Sequence, residues 1–382
     1  MIYRQLGKTG IKVSTISLGC EGFVGKTNEQ VRNEFDFAEA AGINFFDLYS
    51  SDPDLRSNLG YALRGRRDKF IIQGHICSTW KDGQYVRSRE TDEVKASFDD
   101  ELHRLGTDYI DVGMIHYVDD MKDFDKVFNG PVIDYVNQLK ADGMIKCAGM
   151  SSHNPQVAIK AVESGLIDVL MFSINPCYDM QPATENVEDL WADESYEHEL
   201  QNINPDRERL YELCEQNGVG IDVMKPYGGG DLLSDDNSPF SKALTPVQCL
   251  NYALTRPAVA AIMTGCNGIE EIKAAIAWCD ATDTEKDYAS VISGMEKFTW
   301  QGHCMYCGHC APCSVGIDVA SVNKYLNLTS ERKGIPETVR EHYKVLEHHA
   351  SECIKCGRCI KNCPFGVDII GSMERAAKVF GY

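Results

Sequence analysis

A chain of 382 residues exceeds what one hydrophobic core usually organises, so a large domain joined to a small one is expected. Its formal net charge of −19 excludes non-specific nucleic-acid binding and attraction to anionic membranes, since both need clustered Lys and Arg against phosphate. No run of about 18 apolar residues occurs, and the opening MIYRQLGKTG has no basic segment followed by an apolar one, which predicts a soluble, cytoplasmic protein. In that reducing compartment, closely spaced cysteines read as metal ligands before disulfides.

From residue 10 onward, short apolar runs alternate with amphipathic patterns. Candidate strands fall at 16–20, 44–49, 70–75, 109–116, 145–151, 169–175, 220–225 and 260–264, and helical patterns at 27–41, 92–105, 127–141, 206–217 and 269–281. Eight βα units in about 280 residues fit a closed (β/α)8 TIM barrel better than an open doubly wound sheet. Such a barrel gathers its chemistry at the C-terminal ends of its strands. Asp47, His75, His116, Ser151, Asn175 and Lys225 all fall at or near those ends. Any one of them alone reads as a strand-end cap or a satisfied core hydrogen bond, whereas six around one rim read as a site. Residues 176–205 form a long polar insertion of the lid kind, and the acidic run at 186–199 reads as solvated surface.

The cysteines change character near residue 300. Of 16, eight are scattered singly between Cys20 and Cys279, and eight crowd between Cys304 and Cys363, which divides the chain into a barrel at 1–295 and a small domain at 296–382. Residues 304–313 read CMYCGHCAPC and residues 353–364 read CIKCGRCIKNCP. The second is the bacterial iron–sulfur run: three cysteines wrap three corners of a [4Fe-4S] cube, and a fourth, followed by proline, serves the other cluster. The two runs repeat each other beyond their cysteines, CGHC against CGRC and CSVGID against CPFGVD. Two [4Fe-4S] clusters are therefore expected, one on Cys304, Cys307, Cys310 and Cys363, the other on Cys353, Cys356, Cys359 and Cys313. The first run departs by placing two residues, not three, before its last cysteine. Four-cysteine zinc sites use paired CxxC units with longer gaps, which these runs lack. With 39 residues between the runs and a helical pattern at 336–349, the domain resembles the α-helical, longer-spaced ferredoxins.

In order and spacing, INFFD ending at Asp47, YIDVGMIH ending at His116, DGMIKCAGMS ending at Ser151 and KPYGGG starting at Lys225 resemble the aldo/keto reductase family over roughly residues 1–282. With the tail, the chain looks like those members that carry a C-terminal 4Fe-4S domain. The resemblance implies a carbonyl reductase in which a tyrosine gives the proton, a lysine and an aspartate tune it, and a histidine orients the substrate oxygen. The aspartate falls on Asp47 and the histidine on His116, but the tyrosine position holds Asp52 and the lysine position His75. Asp52 and His75 read equally as a hydrogen-bonded surface pair; Tyr49 could offer a phenol from another angle, and His75 could itself be a general acid.

The implied nicotinamide contacts are also thinned. Ser151 matches the family serine, but its asparagine partner is Ser152, the strand-six glutamine is Met171, and the stacking aromatic is Met224. Gly265 and Asn267 lie in a turn able to bind phosphate at a helix N-terminus, without the family's arginine. Ser151, Asn175, Lys225, Gly265 and Asn267 are the candidate cofactor contacts, for NAD(P) at a weakened site or for a flavin. The leading expectation is an iron–sulfur oxidoreductase acting on a small, carbonyl-type substrate, with a ferredoxin or other redox protein as partner. The alternative is an electron-transfer or binding protein whose barrel has lost reductase chemistry.

Overall fold

The computed structural model describes residues 1–185, 203–238, 242–288, 304, 310–327, 329, 335, 340, 343–363 and 366–382. The expected domain boundary at 295/296, the acidic run at 186–199, Cys307 and part of the helical pattern at 336–349 lie outside these residues. Two compact units result, one from the residues up to 288 and one from those after 303.

The first unit opens with a small antiparallel hairpin, β1 (Tyr3–Gln5) and β2 (Lys12–Ser14). Eight parallel strands then close a barrel: β3 (Ile16–Gly19), β4 (Phe45–Leu48), β5 (Ile71–Ile76), β8 (Ile110–Ile115), β9 (Ile145–Ser152), β10 (Val169–Ser173), β11 (Gly220–Met224) and β12 (Val259–Gly265). Between β5 and β8 sits a second hairpin, β6 (Ser78–Lys81) and β7 (Gln84–Arg87). The barrel strands read as continuous apolar runs because helices cover one face and the barrel core the other. Leu6 and Val13 of the first hairpin pack with Phe45, Val112, Met114, Met171 and Met263 inside the barrel. Arg4 donates to Val259 O at 2.8 Å and Asn44 Oδ1 accepts from Ser14 N at 2.7 Å, so this hairpin plugs the N-terminal mouth and leaves the C-terminal rim for chemistry.

Local signals fix the helices. Thr27 and Gln30 form a capping box on α1 (Asn28–Ala40), and proline at the first turn starts α2 (Pro53–Leu63). Helix α3 (Thr91–Leu105) ends at Gly106 in the left-handed region. The helix expected at 127–141 is two, α4 (Met121–Phe128) and α5 (Pro131–Ala141), because Gly130 and Pro131 interrupt the pattern. The pattern at 269–281 shortens to Ile269–Ile276 and a 3-10 turn.

Among its described residues the second unit has helices and no strand: Val319–Asn327, Arg358–Asn362 and Ile369–Phe380. Tyr343 stacks on Phe380 at 3.9 Å and is fully buried with Val322 and Ala376, which gives this unit an apolar centre of its own. Among the described residues no helix is long and apolar enough to cross a membrane.

Gly60 marks the tightest contact of helix on helix. A Cβ there would stand 2.1 Å from Arg104 O and 2.9 Å from Leu105 Cα, so α2 and α3 meet through bare backbone. Gly60→Ala is expected to cost about 1–3 kcal/mol by overpacking, seen as a lower midpoint in urea. An unchanged midpoint would show that the helices separate freely.

Candidate active site and cluster site

At the C-terminal rim a line of buried side chains joins four elements. Gln73 and His75 are two apart on β5 and so share its inward face, beside Asp47 on β4 and Asp222 on β11. The Gln73 amide nitrogen donates to Asp47 Oδ1 at 2.8 Å and to Asp222 Oδ2 at 2.9 Å. Asp47 Oδ1 is thus an acceptor, and His75 Nε2, 2.9 Å away, is the donor to it. In the singly protonated ring, His75 Nδ1 then accepts from His116 Nδ1 at 2.6 Å, and His116 Nε2 accepts the hydroxyl of Tyr85. In that tautomer the hydrogen bonds run one way, from Tyr85 through His116 and His75 to Asp47. Burial, with His75 and Arg89 adding to it, holds the His116 imidazole well below its usual range. Burial likewise pushes the Tyr85 phenol up and the Asp222 carboxyl well above the ordinary carboxylate range.

Tyr85 comes from β7 in the second hairpin, whose turn is Asp82-Gly83 with φ of 53° and 75°. That is the mirror-image turn that suits the right-handed twist of paired strands. Tyr49 lies parallel to His116 at 6.1 Å and donates its hydroxyl to Glu21 at 3.1 Å. Asp52 stands apart: its carboxylate caps α2, accepting from Asp54 N at 2.9 Å and Leu55 N at 2.8 Å. It is not paired with His75, which is buried in the line just described.

The candidate cofactor contacts fare differently. Ser151 is buried on β9, opposite Met171. Asn175 shapes its own turn, accepting from Cys177 N and Tyr178 N at 3.0 Å each and donating to Lys225 O at 3.0 Å. Lys225 holds a left-handed φ of 56° directly after β11. At the strand-eight turn Gly265 is exposed, and Asn267 N donates to Glu271 Oε2 at 2.9 Å. Lys26 donates to Asn267 O at 2.8 Å and pairs with Glu34 at 2.7 Å. Glu271 thus caps one amide of this turn, and Lys26 is already paired with Glu34.

In the second unit, Cys313, Cys353, Cys356 and Cys359 line one cavity together with Ile317, Ile370 and Met373. All four are unpaired thiols. A hydrogen bond with Ser314 at 3.4 Å, with the Arg358 N–H assisting, lowers the Cys356 thiol toward the thiolate. Four thiols around one apolar-walled space fit a [4Fe-4S] cluster. Cys363 does not line this cavity.

These features can be set beside known proteins. The aldo/keto reductase family profile matches residues 15–296, and a 4Fe-4S binding domain matches residues 346–367. The chain belongs to the aldo/keto reductase family and is an oxidoreductase with a 4Fe-4S domain at its C-terminal end. It is 25% identical to the uncharacterized oxidoreductase YqkF of Bacillus subtilis (strain 168) over 317 residues, 78% of this chain and 98% of that one. It is 28% identical to L-glyceraldehyde 3-phosphate reductase of Escherichia coli (strain K12) over 243 residues, spanning 60% of this chain and 62% of that relative's length. Among solved structures, the holo form of aldo-keto reductase AKR11C1 from Bacillus halodurans shares the fold, with a TM-score of 0.58, 23% identity, and coverage of 79% of this chain and 99% of that one.

Behind the site, Glu101 of α3 is fully buried and pairs with Arg56 at 3.3 Å. Burial, partly offset by Arg56 and His75, pushes its carboxyl from 4.5 up to about 7. Between those values the folded chain holds more protons than the unfolded one, so this group's stabilising contribution falls as pH rises through that window. Glu101→Gln removes the fall. Stability of the variant relative to the parent should climb by up to about 1.4 kcal/mol per pH unit from about pH 5 to about pH 7, measured from urea midpoints. Parallel profiles would show that Glu101 ionises normally.

Proposed function

We propose that this chain reduces or oxidises a small hydroxylated carbonyl compound in the barrel, with two [4Fe-4S] clusters exchanging the electrons and Tyr85 exchanging the proton. The one-way line from Tyr85 to Asp47 carries this reading. A phenol whose own hydrogen is committed to His116 keeps its lone pairs for a substrate. It can take an alcohol proton while its own moves to His116, the His116 Nδ1 proton moves to His75, and the His75 Nε2 proton reaches Asp47. Carbonyl reduction runs the same line backwards. An alcohol and its carbonyl differ by two electrons and two protons: the electron source takes both electrons, the line carries the oxygen-bound proton, and the carbon-bound hydrogen leaves as a second proton to water, each step reversed in carbonyl reduction. The compounds for which two relatives are named, L-glyceraldehyde 3-phosphate and, for the Arabidopsis thaliana L-galactose dehydrogenase, L-galactose, are hydroxylated carbonyl compounds, which supports the substrate class.

Cys353, Cys356, Cys359 and Cys313 would hold one cluster, and Cys304, Cys307, Cys310 and Cys363 the other. When bound, such clusters supply one-electron transfer. A ferredoxin-type protein is the proposed partner. No step is assigned to a nicotinamide or to a flavin.

Tyr85→Phe should lower kcat for carbonyl reduction by about 10²- to 10⁴-fold with little change in KM, assayed anaerobically with a chemically reduced viologen as donor. Turnover within about threefold of the parent would remove Tyr85 from the chemistry. Anaerobically isolated protein should carry about eight irons. In Cys313→Ala that count should drop, to about four if the whole cluster is lost and about seven if a single iron is. An unchanged iron count would overturn the assignment of Cys313.

A further inference from the structure

A second histidine at the rim has a geometry of its own. Asp119 is buried, and its Oδ1 accepts from His153 N at 2.6 Å and from Ser152 Oγ at 3.1 Å, while its Oδ2 meets His153 Nδ1 at 2.9 Å. The carboxylate lies well supplied with donors, and those bonds to His153 and Ser152 outweigh burial and keep it below the usual carboxylate range. Nδ1 therefore carries the ring proton, and Nε2 is left with a lone pair alone. That Nε2 is buried and has no hydrogen-bond partner among the described residues. Burial holds the imidazole below its usual range; Asp119 opposes this, and Lys225 and Arg207 reinforce it.

His153 stands at the same rim as His116. His153 directly follows β9 and His116 directly follows β8, and the two strands are hydrogen-bonded neighbours. Adjacent strands run about 4.8 Å apart. The Tyr117 ring stands edge-on to both imidazoles, with centroids 5.1 Å from His116 and 6.2 Å from His153. A buried acceptor without a donor is costly, and what relieves it must bring a hydrogen. A carbonyl, an ether or an alkyl group cannot. An ammonium would face Lys225 and Arg207. A hydroxyl fits.

We infer that His153, oriented by Asp119, recognises a hydroxyl on the carbon next to the reacting carbonyl, so that the barrel selects α-hydroxy carbonyl compounds. This rests on the proposed oxidoreductase reading: with the carbonyl oxygen at Tyr85, the neighbouring O–H donates to His153 Nε2. His153 is a specificity residue here, and no bond is made or broken at it.

Hydroxyacetone and butanone test this, since they differ by one hydroxyl in place of a methyl. Their dissociation constants are measured by calorimetry on the anaerobic holoprotein without electron donor, and kcat/KM is measured separately with reduced viologen. The parent should prefer hydroxyacetone by about tenfold or more in both. His153→Phe should bring the two ketones together, and His153→Gln, which keeps an acceptor oxygen, should restore part of the preference. Equal binding of the two ketones by the parent, or a preference that survives in His153→Phe, overturns the inference. Should His153→Phe fail to fold, the parent's two dissociation constants and the Gln variant still decide. Discrimination in binding without turnover would sink the oxidoreductase reading and leave this one standing; turnover without discrimination does the reverse.

Discussion

The Gln73 amide nitrogen, wedged between two carboxyl groups inside a closed barrel, anchors the line of hydrogen bonds above it. Both of its hydrogens are used, one on Asp47 and one on Asp222, and from Asp47 the line continues through His75 and His116 to the Tyr85 hydroxyl. Water cannot substitute freely for a lost partner in such a space, so the line is maintained as a whole or reversed as a whole. An ammonium only donates, whereas the His75 imidazole accepts on one side and donates on the other, which a through-going proton requires.

The same low-dielectric surroundings press on the acids around the line. Asp222 and Glu101 are both driven toward their neutral forms, the first opposed chiefly by Gln73 and the second by Arg56. Asp119 is held on the opposite side of its usual range by its hydrogen bonds to His153 and Ser152. Carboxyl groups with displaced ionisation in opposite directions, at and behind one rim, are the pattern expected where acid–base chemistry is arranged by surroundings more than by residue type. In the proposed reaction the electrons and the protons have separate sources. A relay independent of any bound group is what that separation needs.

The eight barrel strands were legible because burial on both faces leaves uninterrupted apolar runs, and each observed strand lies within about two residues of its expected place. Asp47, His75 and His116 could be placed at strand ends for the same reason, and the cysteine spacing announced its chemistry without any knowledge of packing. Tyr85 is not legible by the same route, because it lies neither five residues beyond Asp47 nor on a barrel strand. Its signal was a turn: Asp82-Gly83 between Thr79-Trp80-Lys81 and Gln84-Tyr85-Val86 marks a two-residue hairpin. Asp52 misleads in the opposite sense. It sits at the tyrosine's sequence position, but Pro53 after it starts a helix, and an aspartate before such a proline is a cap. His153 gave no sequence signal at all, since its role depends on Asp119 arriving from the preceding βα loop.

Two features of the rim come from its loops. Tyr85 stands on the hairpin after β5, and at the strand-eight turn Asn267 N is bonded to Glu271. An arriving phosphate would have to displace that carboxylate from Asn267 N and would find Lys26 already bound to Glu34. Strands of a barrel are fixed by the packing of their neighbours, whereas the loops beyond them answer only to their own turns and caps. A hairpin here and a glutamate there can thus redirect a reductase rim without disturbing the barrel. The site must be judged from those loops, because the barrel that carries them would look the same under either chemistry.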